Sequence, residues 1–248
     1  MDNKNNNILK SFELQDTLNP DVWDNYDDVS KSKLKEKIRT ALLEISDEFV
    51  NFLKVDVFID DIILTGSLSN YNWSKFSDFD VHLVVDMSQY DEEELELYKE
   101  LFDIKKVLFN QKHDIKILNY DVELYVQDAK EPHHSSGVYS ILFDKWLTEP
   151  KKMKKDLNLS IVKEKAKKFE ILIDDLIETI DDYTLDDAKK VIKKLKDKIK
   201  NYRKTGLDKG GELSYENLVF KYLRRSGYID KLFDLEKDYI NKELSIEK

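Results

Sequence analysis

The sequence predicts an α+β protein: a small mixed β-sheet with flanking helices over residues 1–150, then an all-helical domain over residues 151–248. Three observations carry this prediction. Strand-like alternation, in Asp78 to Asp86 and in Val122 to Gln127, is confined to the first part. After Pro150 every apolar stripe repeats at three and four residues. The charge changes sign at the same point: residues 1–150 hold 16 basic and 31 acidic side chains, whereas residues 151–248 hold 25 and 20. The second part is thus suited to meeting something anionic, the alternative being two ordinary surfaces of differing composition, which charge alone favours.

Residues 1–28 are polar, rich in Asn and Asp and without period, which predicts a loose arm. From Ser32, Leu34, Ile38, Leu42, Ile45, Phe49 and Phe52 predict an amphipathic helix. The β-branched run Val55 to Leu64 predicts a strand ending in Thr65-Gly66-Ser67, and DFDVHLVVD (Asp78 to Asp86) predicts a second. Ser88-x-x-Asp91 opens a helix that uses Leu95, Tyr98, Phe102 and Leu108. Ile115 to Leu118 and Val122 to Gln127 read as a hairpin turning at Asn119-Tyr120, and Gly137 to Trp146 adds a further strand or hairpin. Beyond Pro150, four helices are expected. One carries Val162 to Ile180, and the next, capped by Thr184, carries Ala188, Val191, Leu195, Ile199 and Tyr202. The third spans Ser214 to Ser226 and ends at Gly227, and the fourth spans Ile229 to Leu244.

Composition narrows the chemistry. The 248 residues include no cysteine, which excludes disulfide scaffolds, cysteine nucleophiles and thiolate zinc sites. The four histidines (His82, His113, His133, His134) show no zinc spacing beyond one adjacent pair. No apolar run approaches a membrane span, and the polar N-terminus does not read as a signal peptide, so a cytoplasmic protein without membrane contact is expected. With 41% hydrophobic residues the chain is too apolar to be disordered.

The informative stretch is Leu64 to Asp86. Strand side chains alternate faces, so Phe79, Val81, Leu83 and Val85 point one way and Asp78, Asp80 and His82 the other. Two carboxylates side by side on one face repel each other, and a cation removes that cost. Hard oxygen ligands suit Mg²⁺ or Mn²⁺. The pattern recurs at Asp121 and Glu123. Three carboxylates on two neighbouring strands can hold two ions in a phosphoryl-transfer arrangement. Upstream, Gly66 admits close approach of a phosphate, and Ser67 offers a hydroxyl and an amide.

These residues resemble the nucleotidyltransferase superfamily of DNA polymerase β: a strand, Gly-Ser, about ten residues, Asp-x-Asp on the next strand, and a third carboxylate later. Ten residues separate Ser67 from Asp78, and Ser77 directly precedes the first Asp. The resemblance implies that Gly66 and Ser67 hold the β- and γ-phosphates. Asp78 and Asp80 would bind both metals, and Glu123, preferred to the turn-proximal Asp121, would be the third ligand. Many members carry Gly where this chain has Tyr71. The run Asn70 to Trp73, with HHSSGVYS (His133 to Ser140) and GGELSYENLVFKYLRR (Gly210 to Arg225), is similar to nucleotidyltransferase-like proteins of large tailed phages. That similarity would place the protein in a host cytoplasm.

The activity so implied is transfer of a nucleoside monophosphate from a triphosphate such as ATP to a hydroxyl, with release of pyrophosphate. An RNA or tRNA 3′ end is the acceptor that fits the basic second half; a protein hydroxyl, a small molecule and non-catalytic nucleotide or RNA binding are the alternatives. A solvated edge strand and a sugar-nucleotide glycosyltransferase are the competing readings of Asp-x-Asp, and one helix and one strand leave little room for the latter's nucleotide fold. Nine basic residues lie between Lys189 and Lys204 with one acid, Asp197, forming either a phosphate rail or a solvated helix face. In the superfamily a helical domain commonly closes over the nucleotide. Lys221 and Arg224, on one side of their helix with Asn217, are the candidates there for triphosphate or acceptor binding.

Overall fold

Apolar side chains at every second position of Phe79–Val85 are buried, and Asp80, His82 and Val84 between them are half-buried, which fixes this segment as the centre of a sheet covered on one face. It belongs to a computed structural model that describes residues 2–132, 135–152 and 157–245. In chain order the elements are α1 (Asp2–Lys10), β1 (Trp23–Asp24), β2 (Lys33–Leu34), α2 (Glu36–Leu53), β3 (Asp61–Thr65), β4 (Phe79–Val85), α3 (Glu92–Lys112), β5 (Lys116–Ile117), β6 (Tyr120–Asp128), β7 (Val138–Ser140), β8 (Lys145–Thr148), α4 (Leu159–Thr179), α5 (Leu185–Gly210), α6 (Tyr215–Ser226) and α7 (Tyr228–Leu244). The α+β class expected from the sequence is therefore the class observed. The chain divides into two compact units, Leu14–Lys154 and Met1–Glu13 with Lys155–Lys248.

The first unit holds a six-stranded mixed sheet in the order β5-β6-β4-β3-β7-β8. β4 and β6 are parallel, joined by the crossover helix α3, and β3 is antiparallel to β4. The registers place Thr65 opposite Asp80, and Asp80 opposite Glu123. The core beneath the sheet joins Phe79, Val81, Leu83 and Val85 of β4 with Leu124 and Val126 of β6, and with Leu42 and Phe49 of α2 and Phe102 and Phe109 of α3.

Several local expectations are corrected. The loose arm is not observed: residues 2–10 are helical, and Leu18, Val22 and Trp23 are fully buried. Trp23 stacks on Trp146 at 4.7 Å between ring centroids. These residues dock singly from irregular backbone, so they leave no period in the sequence. Lys33 and Leu34 pair with β1, and α2 starts only at Glu36. The strand expected from Val55 begins at Asp61, because Lys54, at φ 56°, ends α2 and β4 offers no partner beyond Val84 and Val85. Asp91, rather than Ser88, caps α3, in a reciprocal capping box with Glu94. The β5–β6 turn is at Leu118-Asn119, both at positive φ, one residue before the predicted place.

In the second unit α4 buries Val162, Ala166, Phe169, Ile173 and Leu176, and α5 buries Ala188, Ile192, Leu195 and Ile199. Ile192 therefore faces the core in place of the expected Val191. α5 also runs past Tyr202 to Gly210, and a Cβ at Gly206 would lie 2.4 Å from Cβ of Glu216, so glycine permits the close approach of α6. Ser214 caps α6 through the Asn217 amide, and Gly227, at φ 88°, terminates it. α1 packs against α4 and α6 in this unit. Among the described residues no helix is long and apolar enough to cross a membrane.

Candidate active site

The parallel β4–β6 pair aligns Asp80 directly with Glu123, and Asp78 immediately precedes β4. One carboxylate oxygen from each of Asp78, Asp80 and Glu123 lies within 4.8 Å of the others. The two aspartates are half-buried and Glu123 is exposed. Asp121, two positions earlier on the same face, is taken up by Lys116 at 3.1 Å on the neighbouring strand. Three hard oxygen donors converging from two strands match the requirements of Mg²⁺ or Mn²⁺ and of no soft metal.

Gly66 completes the concave side. It leaves β3 at φ 73°, and a Cβ placed on it would come within 1.8 Å of Asp80 Oδ2. Only glycine lets the backbone lie against that carboxylate. The turn that follows, Ser67–Ser69, is held from several sides. Ser67 Oγ donates to Ser77 Oγ at 2.7 Å, and Ser77 Oγ also accepts the Ser74 amide at 2.9 Å. Ser69 Oγ donates to the carbonyls of Gly66 and Gly137, and Trp23 Nε1 donates to the Leu68 carbonyl at 2.8 Å. Tyr71, at the position where the resemblance expects glycine, is buried and accepts the Gln15 amide on its carbonyl at 2.7 Å. The departure thus converts a loop position into a core contact.

His82, two positions along β4 from Asp80, lies between Thr65 and Gln127. Its Nδ1 is 2.7 Å from Gln127 Oε1 and its Nε2 3.4 Å from Thr65 Oγ1. Its ring meets Tyr125 edge-on at 5.1 Å. Beside it a concavity of about 210 Å³ is lined by Asp80, His82, Lys106, Glu123, Leu124 and Tyr125. Lys106 reaches it from α3, with Nζ 4.7 Å from the Tyr125 ring centroid. Lys106 and Trp23 carry no sequence signal because they reach the site from elements distant in the chain, and Ser69 carries none because its partner Gly137 is distant. His133 and His134 lie outside the described residues.

Lys221 and Arg224 belong to the helical unit. Asn217 is buried, accepting from Arg203 Nε at 3.2 Å and donating to the Glu212 carbonyl at 2.7 Å. Burial pushes the Lys221 ammonium pKa down, opposed by Glu212 and reinforced by Arg225, Arg224 and Arg203. Arg224 is exposed. The same unit contains a basic concavity of about 1050 Å³, in which Lys165, Lys168, Lys198 and Lys209 surround Phe169, Tyr202 and Tyr215. Its one acidic lining residue, Glu216, is paired with Lys165 at 2.9 Å.

No family model and no curated protein matches the chain. A solved structure, the STING-associated CdnE c-di-GMP synthase from Capnocytophaga granulosa, aligns over 96% of this chain and 99% of its own at 11% identity. Its TM-score of 0.22 carries no argument about fold or activity.

Proposed function

We propose that the protein is a metal-dependent nucleotidyltransferase that moves a nucleoside monophosphate from a nucleoside triphosphate to a hydroxyl and releases pyrophosphate. The observation that carries this reading is the convergence of Asp78, Asp80 and Glu123 beside a glycine whose missing side chain leaves the backbone in contact with Asp80. A solvated acidic edge needs neither the glycine nor a third carboxylate in register.

Two Mg²⁺ or Mn²⁺ ions, held by the three carboxylates, would neutralise the triphosphate and favour the alkoxide form of the acceptor hydroxyl. The chain's own residues do the rest by position. The Gly66–Ser67 backbone receives the β- and γ-phosphates, and the pinned turn keeps that backbone from shifting when charge develops. The acceptor oxygen attacks the α-phosphorus as the bond to the bridging oxygen breaks, and pyrophosphate leaves with that electron pair. Glu123, the most exposed carboxylate of the three, takes the hydroxyl proton. The Ser67 hydroxyl is committed to Ser77, so Ser67 acts through its amide and Ser77 anchors the loop.

An RNA 3′ end is the proposed acceptor, supported by the basic concavity and by the lysines of α5. Lys221 and Arg224 are proposed to bind phosphate. The test is incubation with each α-labelled nucleoside triphosphate, Mg²⁺ or Mn²⁺, and cell extract separated into RNA, protein and small-molecule fractions. Label is expected in RNA with the native protein and nowhere with the Asp78→Asn/Asp80→Asn variant. Label confined to protein would replace the acceptor, and label of equal strength with the variant would remove the mechanism.

A further inference from the structure

We propose that Lys106 and Tyr125 form an acceptor subsite on the β6 side of the carboxylates, taking a phosphodiester of a nucleic-acid strand next to its reacting end. This inference rests on the nucleotidyl-transfer reading of the same site. In a displacement at phosphorus the entering and leaving oxygens stand opposite each other. The leaving pyrophosphate belongs with Gly66, which follows β3, and β3 lies on one side of β4. The acceptor therefore approaches from the other side, over β6. There the structure supplies a cation. Lys106 lines the concavity that also contains Asp80 and Glu123, and the face of Tyr125 holds its ammonium.

On that side Glu123 is exposed and Tyr125 half-buried, on the face of β6 opposite the buried Val122, Leu124 and Val126. The concavity of about 210 Å³ presents one cation and one aromatic ring beside the carboxylates, and no group matched to a base edge. Lys106 thus selects an anionic acceptor without reading its base, and Tyr125 is its positioning residue.

The experiment measures steady-state transfer to short single-stranded oligoribonucleotides at several salt concentrations. It compares the native protein with Lys106→Gln, Lys106→Arg, Tyr125→Phe and Tyr125→Leu. Lys106→Gln is expected to raise the acceptor KM about tenfold, the effect of losing one charged hydrogen bond. The slope of log KM against log salt should fall by about 0.7, one phosphate contact on a single strand. Mn²⁺-dependent triphosphate binding should stay unchanged. Lys106→Arg and Tyr125→Phe should retain most of the native affinity, and Tyr125→Leu should fall between. An unchanged acceptor KM and slope in Lys106→Gln, or a loss accounted for by weaker Mn²⁺ or triphosphate binding, would overturn the subsite and leave the reaction standing. Transfer by the native protein only to uncharged or protein acceptors would do the same. Absence of any transfer by the native protein would overturn the nucleotidyl-transfer reading, and the subsite with it.

Discussion

At the residue scale the candidate site is an arrangement of like charges that matches the donor set of a divalent cation. Asp78, Asp80 and Glu123 bring carboxylate oxygens within 4.8 Å of one another, a grouping that opposes folding and whose repulsion a bound cation would remove. Replacing Asp80 with Asn should leave the melting temperature in metal-free buffer unchanged or raised. It should also abolish the stabilisation that Mn²⁺ gives the native protein, which at a hundredfold excess over Kd is about 2.7 kcal/mol. Differential scanning calorimetry with and without Mn²⁺ checks both. Gly66→Ala should lower turnover by roughly two to three orders of magnitude, because its Cβ would collide with Asp80 Oδ2 at a backbone angle that disfavours side chains. Steady-state kinetics reads that loss. The grouping of Asp78 with Asp80 was legible in the sequence because strand alternation assigns their face, and that of Glu123 with them because the same alternation recurs in β6. Lys106 was not, since a single half-buried lysine on a helix has no sequence pattern to distinguish it.

At the element scale, register is decisive. Glu123 meets Asp80 only because β6 pairs with β4 in parallel at that offset, and a slip of one residue would turn Glu123 into the core. The elements with strong period were legible: α2, α3, α4, α6 and the alternation of β4. The ends were not, where tertiary contacts decide them, as at Asp61, Glu36 and Leu118. α6 carries a further strain in Lys221, whose charge burial disfavours. The unfolded chain binds more protons there than the folded one just below the ordinary lysine value of 10.5, so stability rises as pH climbs through that window. At pH 7.5 the cost is present. Lys221→Met should therefore raise the melting temperature by about 2–4 °C at pH 7.5, with the gain shrinking toward pH 10.5, while weakening triphosphate binding. Thermal scans across pH and equilibrium dialysis measure the two effects.

At the scale of the whole molecule the two units differ in charge as well as in architecture. The sequence split of -15 for residues 1–150 and +5 for residues 151–248 follows from the side-chain counts. It is realised as an acidic sheet unit with a carboxylate cluster and a helical unit with a lysine-lined concavity. In the sequence the boundary falls at Pro150, where the pattern changes. The N-terminal helix did not follow it, and Met1–Glu13 groups with the helices because Phe12 and Ser11 engage Arg225 of α6. If the lysines of the concavity bind RNA, reversing Lys198 and Lys209 together to Glu should weaken single-strand binding at least tenfold. It should also flatten the salt dependence by the equivalent of two phosphate contacts. Fluorescence anisotropy at several salt concentrations reads both quantities.

The proposed reaction transfers phosphorus together with its nucleoside. It is tested most directly by running the reaction in parallel with triphosphate labelled at the α- or at the γ-phosphorus, using the native protein and Asp78→Asn/Asp80→Asn. The expected result is α-label on the acceptor and γ-label in pyrophosphate, both dependent on Mg²⁺ or Mn²⁺ and both lost in the variant. Transfer of γ-label to the acceptor, or α-label transfer that survives the variant, would contradict it.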